Sequence, residues 1–125
     1  MELTKNELQV MAVLWHAGKA MTSSEIRRQS VVKTWKDASI HIILNKLLEK
    51  GAVCEYGFVK DGKAIARTFV PSLSQSGYYE AHFAGYAPED IPVAFSAFLK
   101  SYGGDAEMVG KLKAIISEWE NEKVK

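Results

Sequence analysis

The chain has 125 residues, of which 47% are hydrophobic and 25% are charged. This composition fits one ordinary soluble domain, or one domain with a helical appendage, and argues against a disordered chain. The one cysteine, Cys54, offers neither an intrachain disulfide nor a pair of thiolate ligands for a metal. The first residues are polar and acidic, and no apolar run approaches the roughly 18 residues of a membrane span, so we expect a cytoplasmic protein with no membrane partner.

Charge is divided unevenly along the chain. The whole sequence has a formal net charge of +1, which does not indicate a polyanionic partner. Residues 1–70 carry eleven basic and seven acidic side chains, a net charge of +4, whereas residues 71–125 carry five basic and eight acidic ones, a net charge of −3. The asymmetry predicts two parts of the chain with different tasks.

Two helix starts stand near the beginning of the sequence. Thr4 and Glu7 have the spacing of a capping box, and the apolar positions that follow predict a helix over about 4–17. Thr22 and Glu25 repeat the pattern and predict a short, polar second helix ending near residues 30–32.

The third helix has the strongest periodicity. Asp37 is the predicted cap and Gly51 the predicted end, and the apolar residues between them fall at i, i+3, i+4, i+7 and i+8. They are Ile40, Ile43, Leu44, Leu47 and Leu48. This stripe predicts a helix that is buried on one face.

A β-hairpin is predicted next. Two runs rich in β-forming residues, 52–59 and 64–70, flank an Asp61-Gly62 turn. Ser, Gln and Gly then dominate 72–77, which we interpret as a connector between two parts of the chain, residues 1–71 and 76–122.

The second part is predicted to be helical. We expect a segment over 78–83, a helix that starts near Pro88, and a last helix from about Asp105, with Gly103-Gly104 as the break before it. The aromatic residues of this part are too many for so small a tail to bury alone, and a partner subunit is the simplest remedy.

Three helices followed by a hairpin, in about 70 residues of net positive charge, is the order of elements in a winged helix-turn-helix. The predicted fold is therefore mainly α with a small β-hairpin: a winged helix-turn-helix followed by a helical dimerisation region. In such a fold the third helix enters the major groove of DNA, and the hairpin contacts flanking phosphates or the minor groove. The predicted DNA-binding residues are Ser39, His41, Ile42, Asn45, Lys46 and Lys50 on the helix and Lys60, Lys63 and Arg67 on or beside the hairpin.

Three stretches resemble the penicillinase repressor family of bacterial winged-helix regulators: residues 3–15, residues 22–26, and residues 39–51 with the following hairpin. Residues 83–86 and 105–120 resemble, more loosely, the family's dimerisation helices. The resemblance implies a homodimer that represses transcription by binding the two half-sites of an operator. The predicted dimerisation residues are Phe83, Ile91, Phe95, Phe98, Leu112, Ile116 and Trp119.

The sequence departs from the family pattern at the third helix. Family members commonly have Thr or Ser at the position of Ile42 and Lys or Arg at the positions of His41 and Lys46, and only Lys46 keeps its charge here. We therefore expect modest, salt-dependent affinity for DNA. The paired cysteines of the copper-responsive members are missing. The antibiotic-linked members are inactivated by a protease, and residues 95–100 are the loosely corresponding place; an unknown inducer is the alternative.

Other functions have less support in the sequence. The three histidines are too scattered for a metal site, and no cofactor motif or catalytic motif is present, so we expect no enzyme activity. One alternative is a winged-helix adaptor that binds another protein and lacks specific DNA binding. Another is a repressor that responds to a small molecule bound in an aromatic dimer interface.

Overall fold

The structure, a computed structural model, describes residues 1–101 and 105–124. Its secondary structure divides into two compact units, residues 1–84 and 85–125. In the first unit the elements are α1 (Lys5–Ala17), β1 (Met21–Thr22), α2 (Ser23–Gln29), a 3-10 turn (Asp37–Ser39), α3 (Ile40–Lys50), β2 (Val53–Asp61), β3 (Ala64–Pro71) and α4 (Gln75–Phe83). The predicted class, mainly α with a winged helix-turn-helix, is confirmed.

Both predicted capping boxes are present. The hydroxyl of Thr4 accepts from the backbone N–H of Glu7 at 3.2 Å, and the Glu7 carboxylate accepts from the N–H of Thr4 at 2.8 Å. Thr22 and Glu25 repeat the exchange at the start of α2. These reciprocal bonds satisfy backbone donors that a helix start would otherwise leave unpaired, which fixes where each helix begins.

The start of α3 differs from the prediction. Asp37 opens the 3-10 turn and its carboxylate pairs with the ammonium of Lys33, and Ser39, the residue before α3, makes no side-chain cap bond. A turn of tighter helix therefore replaces the expected Asp37 cap. The end at Gly51 is as predicted, because its φ of 76° is the left-handed conformation that glycine adopts without strain.

The sheet contains one strand more than the predicted hairpin. The described strands run antiparallel in the order β1-β3-β2, with Met21 opposite Phe69. Gly62, at φ 66°, begins the two-residue turn that joins Asp61 to Ala64. Between Glu55 and Gly57 the register shifts, which leaves Tyr56 as an extra residue in β2. We call β2, the turn and β3 the wing.

The core lies in the first unit between α1, α3 and the base of the wing. Four members of the predicted apolar stripe of α3 are buried; the fifth, Leu48, is partly buried against the core. Met11 and Leu14 meet them from α1, and Phe69 closes the core from β3. Each such side chain contributes roughly 1.5–3 kcal/mol through burial, so the inner face of α3 is anchored and its outer face is left to solvent.

Helix α4 belongs to the first compact unit, which extends beyond the predicted end of the first part at residue 71. Tyr78 is buried, and its hydroxyl accepts from the backbone N–H of Leu3 at 3.3 Å. The indole N–H of Trp15 donates to the carbonyl of Leu73 at 2.9 Å. Because α4 begins at Gln75, the predicted connector of 72–77 is a short link, and the chain divides at residues 84 and 85.

The second unit contains a 3-10 turn (Pro88–Asp90), α5 (Ile91–Ser101) and α6 (Ala106–Val124). These bounds agree with the two predicted helices. The predicted break at Gly103-Gly104 lies outside the described residues. No side chain that the structure describes in this unit is buried. Across the described chain, no helix has both the length and the apolar character needed to cross a bilayer.

Candidate nucleic-acid interface

The outer face of α3 presents five exposed side chains, of which Glu49 is the one not predicted as a DNA contact. His41, Ile42, Asn45 and Lys46 are all exposed, Ile42 to 65%, and we call them the reading face. Helical periodicity places them opposite the buried stripe, so the packing that anchors α3 also holds this face outward. Ser39, at the start of the helix, is half-buried.

The ammonium of Lys46 is available to a ligand although a carboxylate lies near it. Its ammonium lies 3.6 Å from the carboxylate of Glu49, and both side chains are mostly exposed. Such a surface pair is worth at most about 1 kcal/mol, so a DNA phosphate or a base edge can compete for the ammonium. His41, Ile42 and Asn45 supply respectively a titratable ring, a methyl-bearing side chain and an amide that suits the adenine edge.

The contacts of Lys50 indicate a structural role. Its ammonium lies 2.6 Å from Glu7 Oε1 and donates to the carbonyl of Glu2 at 2.9 Å. Burial by itself raises the pKa of Glu7, but the bonds from Lys50 and from the Thr4 N–H outweigh it and hold that pKa below its ordinary value. The structure thus places Lys50 between α1 and α3, apart from the other predicted contacts.

The wing carries basic residues at its tip. Lys60, near the end of β2, and Lys63, in the turn, are both exposed. Arg67 lies nearer the base, 2.6 Å from the carboxylate of Glu55 and over the ring of Phe69 at 5.2 Å. The two lysines therefore extend from the unit, whereas the charge of Arg67 is already paired.

Two exposed apolar side chains of the wing were not among the predicted site residues. Phe58 and Ile65 are 67% and 72% exposed. The register pairs Phe58 with Arg67 and Ile65 with Lys60, so apolar and basic side chains alternate on one face. The period-two pattern of these residues in the sequence was the available signal. Such a face suits a sugar and phosphate surface better than a protein core.

The second unit offers an apolar surface. Of the residues predicted for dimerisation, five are exposed on α5 and α6, whereas Leu112 is half-buried. The exposed ones are Ile91, Phe95, Phe98, Ile116 and Trp119. Phe83 lies on α4 and belongs to the first unit. Exposed apolar side chains in this density are typical of interaction surfaces.

No group of three metal-binding side chains occurs in the part of the chain that the structure describes. A helix with an exposed polar face, packed on two preceding helices and followed by a two-stranded wing with a basic tip, defines the first unit as a winged-helix DNA-binding domain. The model of the penicillinase repressor family matches residues 3–118, and the chain belongs to that family. It is a DNA-binding transcriptional repressor.

Individual relatives are distant. The penicillinase repressor of Bacillus licheniformis is 25% identical over 126 aligned positions, which cover 98% of this chain and 94% of the relative. The solution structure of monomeric Bacillus licheniformis BlaI with the blaP half-operator is 25% identical, with a TM-score of 0.46 over 62% of this chain and 89% of that one. A MarR family regulator from Silicibacter pomeroyi is 17% identical, with a TM-score of 0.47 over 95% and 71%.

Proposed function

We propose that the protein is a homodimeric repressor that places α3 in the major groove of an inverted-repeat operator. The observation that carries this proposal is the reading face, which is exposed while the opposite face of the same helix is buried in the core. A two-fold dimer would set two copies of α3 into grooves one DNA turn apart, about 34 Å, or a multiple of it.

Each residue of the proposed interface suits a particular feature of DNA. Asn45 suits an adenine edge, Ile42 a thymine methyl group, and Lys46 a guanine edge or a phosphate. Ser39 and His41 lie at the start of the helix, where base edges or phosphates come within reach. Lys60 and Lys63 bind the phosphates that flank the groove. Lys50, which was predicted as a DNA contact, is assigned instead to holding α3 in place, because the buried carboxylate of Glu7 already pairs with it. Arg67 stays a phosphate contact in the proposal, because its pair with Glu55 is a surface pair for which a phosphate can compete.

The second unit supplies the partner surface. Its helices expose Phe95, Phe98 and Trp119, and a second copy of the same unit would remove these side chains from water. We therefore assign the dimer contact to α5 and α6.

Relief of repression is assigned to this same unit. An inactivating protease would act near residues 95–100, which lie inside α5, and it would require the helix to open locally before cleavage. An inducer that separates the two copies would have the same effect. Operator DNA of a bacterial repressor lies in the cytoplasm, and the proposal places the protein there.

Selection of duplexes from a random library at about 50–100 mM salt, with sedimentation of the protein in parallel, tests the proposal. Enrichment of an inverted repeat by a dimer is the expected result. A folded dimer that enriches no sequence and shows no salt-dependent retention on duplex DNA would overturn it and favour the adaptor function, for which the exposed Phe58 and Ile65 would be the contact surface.

A further inference from the structure

A small polar cleft lies where three elements of the interface meet. It has a volume of about 340 Å³ and joins α2 to the 3-10 turn before α3 and to the tip of the wing. Its lining residues are Ser24, Arg27, Arg28, Asp37 and Asp61. None of them was among the predicted DNA-binding residues.

The guanidinium of Arg27 is incompletely bonded. One terminal nitrogen donates to the hydroxyl of Ser24 at 3.1 Å. Its Nε is buried and has no hydrogen-bond partner within the described residues. A buried donor without an acceptor costs free energy, so Arg27 lacks a full set of hydrogen-bond partners among the described residues. A guanidinium also matches the planar spacing of phosphate oxygens better than any other side chain.

The two acidic residues of the cleft differ in whether a cation pairs with them. The carboxylate of Asp37 is already paired with the ammonium of Lys33. Asp61 is exposed at the end of β2 and has no ion pair within the described residues. Arg27 and Arg28 lie opposite Asp61, whose carboxylate is not compensated. Two cations against this one carboxylate leave a cleft that favours an anion. The charge of Asp61 weakens anion binding without preventing it.

The position of the cleft indicates which anion it meets. A major groove and the adjacent minor groove are separated by one sugar-phosphate strand. When α3 occupies the first groove and the wing approaches the second, a cleft between the start of α3 and the wing tip faces that strand.

We propose that this cleft binds a phosphodiester of the operator backbone, with Arg27 as the main donor and Arg28 and the Ser24 hydroxyl beside it. The proposal rests on the proposed function, because it requires α3 and the wing to lie in adjacent grooves. Arg27 thereby fixes the register of the protein on the duplex without reading sequence.

Affinity of the full-length protein for a selected duplex and a random duplex, measured by fluorescence anisotropy between about 50 and 200 mM salt, tests the assignment. Because each subunit of the dimer contributes one Arg27, Arg27→Gln should reduce the magnitude of the slope of log affinity against log salt by about 1.8, so that it loses about 12-fold less affinity than wild type over this range. Both duplexes should be affected equally. Lys111→Gln, at an exposed lysine of α6, is the control and should leave the slope unchanged.

Asp61→Asn should change the affinity for DNA in the opposite direction. Because this residue is exposed at the wing tip, its replacement carries little risk to folding, and removing its charge should tighten binding about 2- to 5-fold. Arg27→Lys, which keeps charge but not the planar fork, should bind between wild type and Arg27→Gln.

Two failures are distinguishable. If Lys46→Met weakens binding while Arg27→Gln keeps the wild-type slope and Asp61→Asn binds no tighter, the cleft does not bind a phosphate and the proposed function stands. If the wild-type protein binds neither duplex, the proposed function itself fails, and the cleft assignment fails with it.

Discussion

Replacing Lys50 by methionine tests whether this lysine stabilises the fold or contacts DNA. Methionine keeps an apolar stem of similar length, but it removes the cation beside Glu7, whose side chain is only 6% exposed. Removing one partner of a fully buried ion pair costs roughly 3–5 kcal/mol. Lys50 is itself partly exposed and Glu7 keeps its bond to the Thr4 N–H, so we expect a loss of about 1–3 kcal/mol in the free energy of unfolding at pH 7.

The loss of stability in Lys50→Met should be smaller at low pH than at pH 7. The pKa of Glu7 lies below its ordinary value of 4.5 in the folded chain, so the unfolded chain binds the proton more readily. The stabilisation is therefore fully present above that ordinary value and is lost as the pH falls through the lowered folded value. The difference in stability between wild type and Lys50→Met should narrow below about pH 4, where a neutral Glu7 no longer needs a cation.

Urea denaturation of both proteins at several pH values, with duplex binding as a second readout, measures these quantities. Lys46→Met is the matched control, since it makes the same substitution one helical turn earlier on the reading face. It should leave stability within about 0.5 kcal/mol and reduce the magnitude of the salt slope of binding by about 1.8, one contact being lost in each subunit of the dimer. A Lys50→Met protein that is as stable as wild type, but whose salt slope falls as in the control, would refute the structural assignment.

Three further predictions concern other parts of the chain. The double substitution Phe98→Glu and Trp119→Glu should convert the protein to a monomer in sedimentation while α3 and the wing keep their fold, and a persistent dimer would place the interface elsewhere. Gly62→Val should lower the free energy of unfolding by about 1–2 kcal/mol because its φ of 66° strains a branched residue, whereas Gly85→Ala, with open space around it, should change thermal unfolding little. Thr22→Ala should cost about 1 kcal/mol in chemical denaturation through loss of the α2 cap, and an unchanged midpoint would contradict that role.

Much of the first unit was predictable because its signals are local. A capping box spans four residues, and the apolar stripe of α3 repeats within one helix, so neither depends on distant parts of the chain. The strand β1 has two residues and exists because Met21 meets Phe69, 48 positions later in the sequence. No local pattern indicates such a pairing.

The same contrast between local patterns and contacts of distant residues explains which parts of the site were predictable. The reading face follows from the stripe, since whatever lies opposite a buried face is exposed. The role of Lys50 depends on the approach of Glu7 from another helix, and helical spacing alone assigned it to the DNA side. The attachment of α4 depends on Tyr78 reaching Leu3, which the composition of residues 72–77 concealed.

The first residues of the chain connect two elements that are far apart in sequence. The carbonyl of Glu2 accepts from Lys50 at the end of α3, and the N–H of Leu3 donates to Tyr78 on α4. Any peptide fused directly before Met1 therefore begins within three residues of the contacts that Glu2 and Leu3 make with α3 and α4. An affinity tag for binding experiments belongs at the other end of the chain, or behind a cleavable linker that restores Glu2 and Leu3 to their partners.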